Sequence, residues 1–109
     1  MTVSELSRTP SFGAVSLPCP DRQINGVYIG DLLSWVMGRA EPDNAWLTIM
    51  SNINIIAVAT LSDVSCIILT EGVTLADDII ALANEKNINI LSTPLASYEC
   101  AILLGDMIG

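Results

Sequence analysis

Residues 21–34 read Asp-Arg-Gln-Ile-Asn-Gly-Val-Tyr-Ile-Gly-Asp-Leu-Leu-Ser, and this stretch organises the prediction of the fold. Gly26 and Gly30 bracket a short apolar strand, and a glycine beside a strand marks a tight turn or a close backbone approach. Asp31 is a suitable N-cap for the helix that follows, and Gly38 is a suitable end. The backbone N–H groups at this helix start form a candidate anion site.

The composition describes an acidic chain that is rich in apolar residues. Its 109 residues predict a single domain over positions 1–109, and 51% of them are hydrophobic. Because that fraction is high for so short a chain, we expect some apolar surface to be buried in a homodimer or against a partner enzyme. The net charge of −8, with four scattered basic residues, argues against binding nucleic acid or an anionic membrane.

The lack of a targeting signal and the pattern of cysteines both predict a cytoplasmic protein. No apolar run approaches the ~20 residues that span a bilayer, and the N-terminus lacks a basic region before an apolar stretch. Cys19, Cys66 and Cys100 are widely spaced, and the chain contains no histidine. Reduced thiols fit this pattern better than a zinc site or a disulfide framework, so we expect no metal and no cofactor.

Hydrophobic patterning predicts alternating strands and helices. Thr2 and Glu5 have the spacing of a capping box, which predicts a short helix at the start of the chain. Strands are predicted at residues 12–17, 27–29, 45–50, 66–70 and 88–91, and helices at residues 32–37, 74–86 and 93–104. The last two helices are expected to begin with a Thr74–Asp77 capping box and with Thr93–Pro94, and to end near Asn87 and at Gly105.

The segment of residues 55–61 admits two interpretations. Its β-branched side chains suit a strand. Its apolar positions, however, recur on one helical face, and Asn52 or Asn54 can cap a helix there. We therefore predict a helix.

This alternation implies an α/β fold with a small, mainly parallel sheet of four to five strands flanked by helices. Ligands of such sheets bind outside the carboxyl ends of the strands. Small polar sequences follow four predicted strands, at residues 30–31, 51–54, 70–72 and 92–94. If the strands are parallel, these loops converge on one rim, and we predict a ligand site there.

Nine residues at or near the strand ends are candidates for ligand binding: Arg22, Tyr28, Gly30, Asp31, Asn52, Asn54, Thr70, Ser92 and Thr93. Several have a structural alternative. Arg22 can hold a phosphate or pair with the acid beside it, and Tyr28 can stack on a base or pack at the sheet. Asn52 and Asn54 can bind a base edge or cap a helix, and Thr93 can help bind an anion or begin a helix.

The pattern of residues 21–34 resembles the DRTGG domain family. Residues 45–49, 54–59 and 90–93 are also similar, as are Tyr98 and Glu99, so the likeness covers nearly the whole chain. This sequence keeps one of the two glycines of the name-giving motif, and it lacks a histidine that the family often has near Asn54.

The resemblance implies an α/β fold like the N-terminal domain of HPr kinase/phosphorylase, and a regulatory module without catalytic residues. Related domains lie beside CBS domains in regulated pyrophosphatases, where adenine nucleotides and diadenosine polyphosphates are effectors. Others precede the catalytic part of phosphotransacetylases. We expect a stand-alone domain here, whose output passes through a partner or through self-association.

Three functions are candidates for this sequence: a ligand-sensing regulatory module, a protein-interaction domain without a small ligand, and an enzyme that uses Asp or Glu chemistry. The chain has no Gly-x-x-x-x-Gly-Lys phosphate loop and no Gly-x-Ser-x-Gly elbow. The absence of histidine excludes a Ser–His or Cys–His nucleophile. We expect the regulatory module, with an adenine nucleotide as a candidate ligand.

Overall fold

Helices and strands alternate along most of the chain, in a computed structural model that describes residues 1–108. The helices are α1 (Val3–Ser7), α2 (Leu33–Arg39), α3 (Asn54–Ser62), α4 (Asp77–Glu85) and α5 (Ser97–Ile108). The strands are β1 (Gly13–Ser16), β2 (Gly26–Ile29), β3 (Asn44–Thr48), β4 (Cys66–Leu69) and β5 (Ile90–Ser92).

The five strands form one sheet in the order β1-β5-β4-β3-β2. Strands β2, β3, β4 and β5 are parallel to one another, whereas β1 runs antiparallel to β5 at one edge. The predicted α/β fold with a mainly parallel sheet flanked by helices is therefore confirmed. None of the helices within residues 1–108 is long and apolar enough to cross a membrane.

Both faces of the sheet are buried, which explains why its central strands are largely apolar. On one face, Trp46, Ile67 and Ile90 pack against α2, α3 and α4. On the other face, Leu47 and Leu91 pack against α1 and α5. The result is three layers, with the loops at the carboxyl ends of the parallel strands left along one edge.

Local capping signals in the first half of the chain are partly confirmed. The amide of Glu5 donates to Thr2 Oγ1 at 3.1 Å and the amide of Thr2 donates to Glu5 Oε1 at 3.2 Å, which completes the predicted capping box. The predicted helix over residues 55–61 is α3, but Ile53 occupies its cap position, and Asn52 Oδ1 accepts at 2.9 Å from the amide of Asn54, the first residue of the helix. Gly38 does not end α2, which continues through Arg39.

Two predicted helix starts and one predicted end are wrong. The Thr74–Asp77 capping box does not form, because α4 begins at Asp77 after an extended Ala76. Thr93 begins a separate turn, in which its Oγ1 accepts from the amide of Leu95 at 3.2 Å, and α5 starts only at Ser97. Helix α5 passes through Gly105, because burial of Cys100 and Leu104 on the sheet outweighs the weak helix propensity of one glycine.

Candidate functional site

The carboxyl ends of β2, β3, β4 and β5 share one edge of the sheet, as expected for parallel strands. The predicted site residues do not form one site along this edge, however. Hydrogen bonds and packing divide them among a turn after β3, a buried contact after β4, a cavity after β5 and a groove beside α3.

Asp31 holds the turn that follows β3. Its Oδ1 accepts from the buried Thr48 hydroxyl at 2.7 Å and from the Ile49 amide at 3.0 Å, and Thr48 Oγ1 in turn accepts from the Met50 amide at 3.1 Å. The predicted helix-cap role is wrong, because Leu32 occupies the cap position of α2 and no side chain caps that helix. This strand end presents a carboxylate, so it is unsuited to bind an anion.

Tyr28 and Gly30 have structural contacts at the end of β2. The Gly30 carbonyl accepts from the indole Nε1 of the buried Trp46 at 2.9 Å, and its amide donates to Leu47 O at 3.2 Å. A Cβ atom on Gly30 would lie 2.9 Å from Tyr28 Cε2, so the ring covers this glycine closely. These contacts favour the interpretation in which Tyr28 packs at the sheet.

Arg22 lies at the opposite edge of the sheet from the rim. Its Nη2 lies 3.0 Å from Oδ1 of both Asp43 and Asp63, two acids that precede β3 and β4. Partial burial lowers the pKa of Arg22, but the hydrogen bond to Asp43 and the charge of Asp63 outweigh it, so the net pKa is raised and the guanidinium stays charged. Arg22 is therefore not part of the predicted rim, and its partners are not the adjacent Asp21.

Three further candidates are separated from one another. Thr70 is fully buried, with its Oγ1 at 3.3 Å from Ser97 Oγ. Asn52 binds the backbone before α3, and Asn54 lines the groove between α3 and α4. Thr70 is thus inaccessible to a ligand.

Ser92 and Thr93 line a cavity of about 430 Å³ at the carboxyl end of β5. The other lining residues come from β1, from the loop after β4, from α4 and from the turn after β5: Val15, Gly72, Val73, Thr74, Leu75, Ile80 and Pro94. No lining residue is charged. The walls are mainly aliphatic, and the hydroxyls of Thr74 and Ser92 form no hydrogen bond within residues 1–108.

The backbone around this cavity is held by contacts between two loops. The amide of Gly72 donates to Thr93 O at 3.0 Å, and the amide of Glu71 donates to Leu95 O at 2.8 Å. Both Glu71 and Gly72 have positive φ angles, of 57° and 73°, which makes the turn after β4 tight. The cavity wall is therefore built by hydrogen-bonded backbone from two neighbouring strand ends.

The charge around the cavity is negative. Glu71 lies in the loop that lines it, and the exposed Asp77 and Asp78 begin α4 two residues after Leu75. A polyphosphate placed inside would meet these carboxylates without a cation among the lining residues. The cavity is thus suited to the neutral, apolar part of a ligand, with hydroxyls available for a few directed hydrogen bonds.

The sequence predicted the polar residues of this cavity but not most of the aliphatic residues that form its walls. Residues 70–72 and 92–94 were predicted at the rim, and Gly72, Ser92, Thr93 and Pro94 line the cavity. Val15 contributes only because β1 lies antiparallel beside β5, and no pattern in the sequence indicates that pairing. Residues 1–108 contain no group of three or more His, Cys, Asp and Glu side chains placed to hold a metal ion.

Comparison with known proteins gives a family and a fold. The family model described as the DRTGG domain matches residues 21–107. No curated protein sequence matches this chain significantly.

Among solved structures, the chain is similar to the CBS and DRTGG domains of the regulatory region of Clostridium perfringens pyrophosphatase, complexed with its activator diadenosine tetraphosphate. The TM-score is 0.73 at 21% sequence identity, and the match covers 94% of this chain and 45% of that one. The chain therefore spans less than half of that regulatory region, and the likeness establishes the fold.

Proposed function

Because this chain belongs to the DRTGG domain family, we propose that it is a non-catalytic regulatory module that binds a small ligand and signals through dimerisation or a partner protein. The ligand binds in the cavity formed by β1, the loop after β4, α4 and the turn after β5. The observation that carries this proposal is the combination in that cavity of aliphatic walls, two free hydroxyls and no charge.

The size and position of the cavity support a ligand. Its volume of about 430 Å³ lies within the range of small-molecule sites, and such sites combine an apolar lining with few polar groups. It also lies outside the carboxyl ends of parallel strands, where ligands of α/β sheets bind. The solved regulatory region with a similar fold is complexed with a nucleotide activator, and this supports a nucleotide as the class of ligand.

The negative charge around the cavity favours one orientation of a bound nucleotide. A purine nucleoside is neutral, and its base offers donors and acceptors to the hydroxyls of Ser92 and Thr74. The phosphates of a nucleotide would lie outside the cavity, where Mg²⁺ can screen them from Asp77 and Asp78. Adenosine is therefore expected to bind without metal, and adenine nucleotides are expected to bind better with Mg²⁺.

A thermal-shift titration with adenosine, and with adenine nucleotides with and without Mg²⁺, tests this proposal. Ligand at 100 times its dissociation constant should stabilise the parent protein by about 2.7 kcal/mol. The double variant Thr74→Val with Ser92→Ala removes both hydroxyls at little change in volume, and its shift should fall to less than half. Thr60→Val is the matched control, because it removes a hydroxyl from the groove between α3 and α4.

Two outcomes would contradict the proposal. One is a flat titration with every ligand, because a regulatory nucleotide site must bind at least one of them. The other is an undiminished shift in the folded double variant, which would place the ligand outside this cavity. Loss of the shift in Thr60→Val instead would favour the groove between α3 and α4.

A protein-interaction domain without a small ligand is the second candidate function. The observation that favours it is the exposure of large apolar side chains along α3, with Leu61 and Ile53 exposed by 71% and 49%. A contiguous exposed apolar patch is typical of a contact with another protein. A flat ligand titration together with a stable complex or dimer would favour this candidate.

A further inference from the structure

Helices α2 and α3 contain no carboxylate, although Asp31, Glu41 and Asp63 lie just beyond their ends, where Asp63 is paired with Arg22. None of the twelve Asp and Glu residues lies in Leu33–Arg39 or Asn54–Ser62, whereas α1, α4 and α5 each contain at least one. Two of the four basic residues border the same surface, since Arg39 belongs to α2 and Lys86 lines the groove between α3 and α4. Charge is thus distributed very unevenly over a molecule with a net charge of −8.

This surface is also apolar. On α3 and at its start, Leu61 is 71% exposed and Ile53 is 49% exposed, and Ala57 between them is also exposed. These residues border a groove of about 550 Å³ between α3 and α4, whose floor includes the buried Ile56. We call Ile53, Ala57 and Leu61 the α3 face.

The spacing of the α3 face makes it complementary to itself. Positions four residues apart lie on the same side of a helix, so Ile53, Ala57 and Leu61 form one row with the smallest side chain in the middle. If two such helices pack antiparallel with a two-fold axis at Ala57, each Ile53 lies opposite the Leu61 of the other copy. A dimer interface with two-fold symmetry requires this reciprocal arrangement.

We propose that the α3 face binds a second copy of this chain, with the two α3 helices antiparallel about a two-fold axis near Ala57. The exposed Leu61 of each copy inserts into the groove beside α3 of the other. In the proposed regulatory function, this dimer contact is the surface through which ligand binding is passed on, and in this respect the inference rests on that function. The contact itself forms without a ligand.

The distribution of charge favours contact between two copies of this chain at the α3 face. Two molecules that each carry −8 repel each other, and the repulsion is least where neither copy presents carboxylates. Because α2 and α3 contain no carboxylate, two copies can approach there at a lower electrostatic cost than along α4 or α5. Trp35 and Met37 on α2 are each about half exposed and extend the apolar area next to α3.

Sedimentation equilibrium of matched variants tests the proposal. The parent is expected to be a dimer at tens of micromolar, and Leu61→Asp should raise the dimer dissociation constant by about 100-fold or more, as expected for a central contact present twice. Tyr98→Asp is the control, because Tyr98 is equally exposed but lies on α5, and it should leave the dissociation constant unchanged. Circular dichroism should show that both variants are folded.

Cysteine cross-linking tests the symmetry, in a Cys19→Ser background that keeps only the buried Cys66 and Cys100. Under mild oxidation, Ala57→Cys should form a disulfide with its own copy. A mixture of Ile53→Cys and Leu61→Cys proteins should form the mixed disulfide faster than either homodimer. Ala81→Cys, which is exposed on α4, should remain monomeric on a non-reducing gel.

A parent that is monomeric at these concentrations would overturn the proposal. So would a dimer that survives Leu61→Asp, or one that is lost in Tyr98→Asp. Adenosine titration of the monomeric Leu61→Asp variant separates the two proposals, because failure of the dimer leaves the cavity able to bind, and failure of the cavity leaves the ligand-free dimer intact.

Discussion

Replacing Asn89 by alanine is expected to destabilise the protein by about 4 kcal/mol, because three backbone groups would lose their partner. Asn89 is 2% exposed. Its Nδ2 donates to Cys19 O at 2.7 Å and to Ser65 O at 3.0 Å, and its Oδ1 accepts from the Cys19 amide at 2.9 Å. One side chain thus ties the segment between β1 and β2 to the segment before β4, and alanine leaves these groups without a replacement donor or acceptor.

Denaturant titration monitored by tryptophan fluorescence measures this loss. Asn84→Ala is the matched control, because Asn84 is exposed and its Nδ2 makes only one bond, to Ile80 O at 3.2 Å on its own helix. The control is expected to change the free energy of unfolding by less than about 0.5 kcal/mol. A loss below 1 kcal/mol in Asn89→Ala would show that water replaces the missing bonds and that Asn89 does not hold these segments together.

Stability is expected to fall steeply above pH 9, because two buried thiols resist ionisation. Burial raises the pKa of Cys66 to about 12 and that of Cys100 to about 11, from an ordinary value of 9.0. Above pH 9 the unfolded chain releases these thiol protons while the native state keeps them, so the native state loses stability as the pH rises. The slope is about 1.4 kcal/mol per pH unit for each thiol, or about 4 kcal/mol for both between pH 9 and 11.

The measurement is the free energy of unfolding as a function of pH, in a reducing buffer, for the parent and for Cys66→Ala. The variant loses stability at every pH through the cavity it creates, but its slope above pH 9 should be shallower by the contribution of one thiol. Every other titrating group is common to both proteins, so the difference in slope isolates Cys66. Equal slopes would show that the thiol at position 66 ionises in the native state.

Local signals in the sequence predicted much of the fold. The capping box of Thr2 and Glu5 and the helix over residues 55–61 depend on neighbours in the chain, and both are confirmed. The apolar row that suggested this helix does not form its buried face, however, because Ile53 and Leu61 are exposed and α3 buries Ile55, Val58 and Ala59 instead.

Helix ends at Gly38 and Gly105 were wrong. Helix α2 continues by one residue to the exposed Arg39, whose guanidinium lies 3.8 Å from the centroid of the Trp35 ring, and packing of Cys100 and Leu104 extends α5 past Gly105. The antiparallel edge position of β1 depends on contacts across more than 70 residues, which no local pattern reveals.

The candidate site was harder to predict, because its residues have distant partners. Asp31 has the position of a helix cap, but Thr48 and Ile49 on the next strand are its partners. Arg22 has an acid beside it in sequence, but it pairs with Asp43 and Asp63 at the far edge of the sheet. Strand-end loops could be recognised from their small polar residues, whereas the aliphatic walls of the cavity could not be distinguished from core residues.

Amide chemical shifts of the ¹⁵N-labelled protein, recorded while adenosine is added, test the central claim most directly. The account predicts saturable shifts at Gly72, Val73, Thr74 and Thr93 around the cavity, which are larger than any shifts at Ala57 and Leu61 on the α3 face. The same cavity amides should shift with an adenine nucleotide and Mg²⁺. Unchanged spectra with both ligands, or shifts confined to the groove between α3 and α4, would contradict the proposal that this cavity is the site of a regulatory ligand.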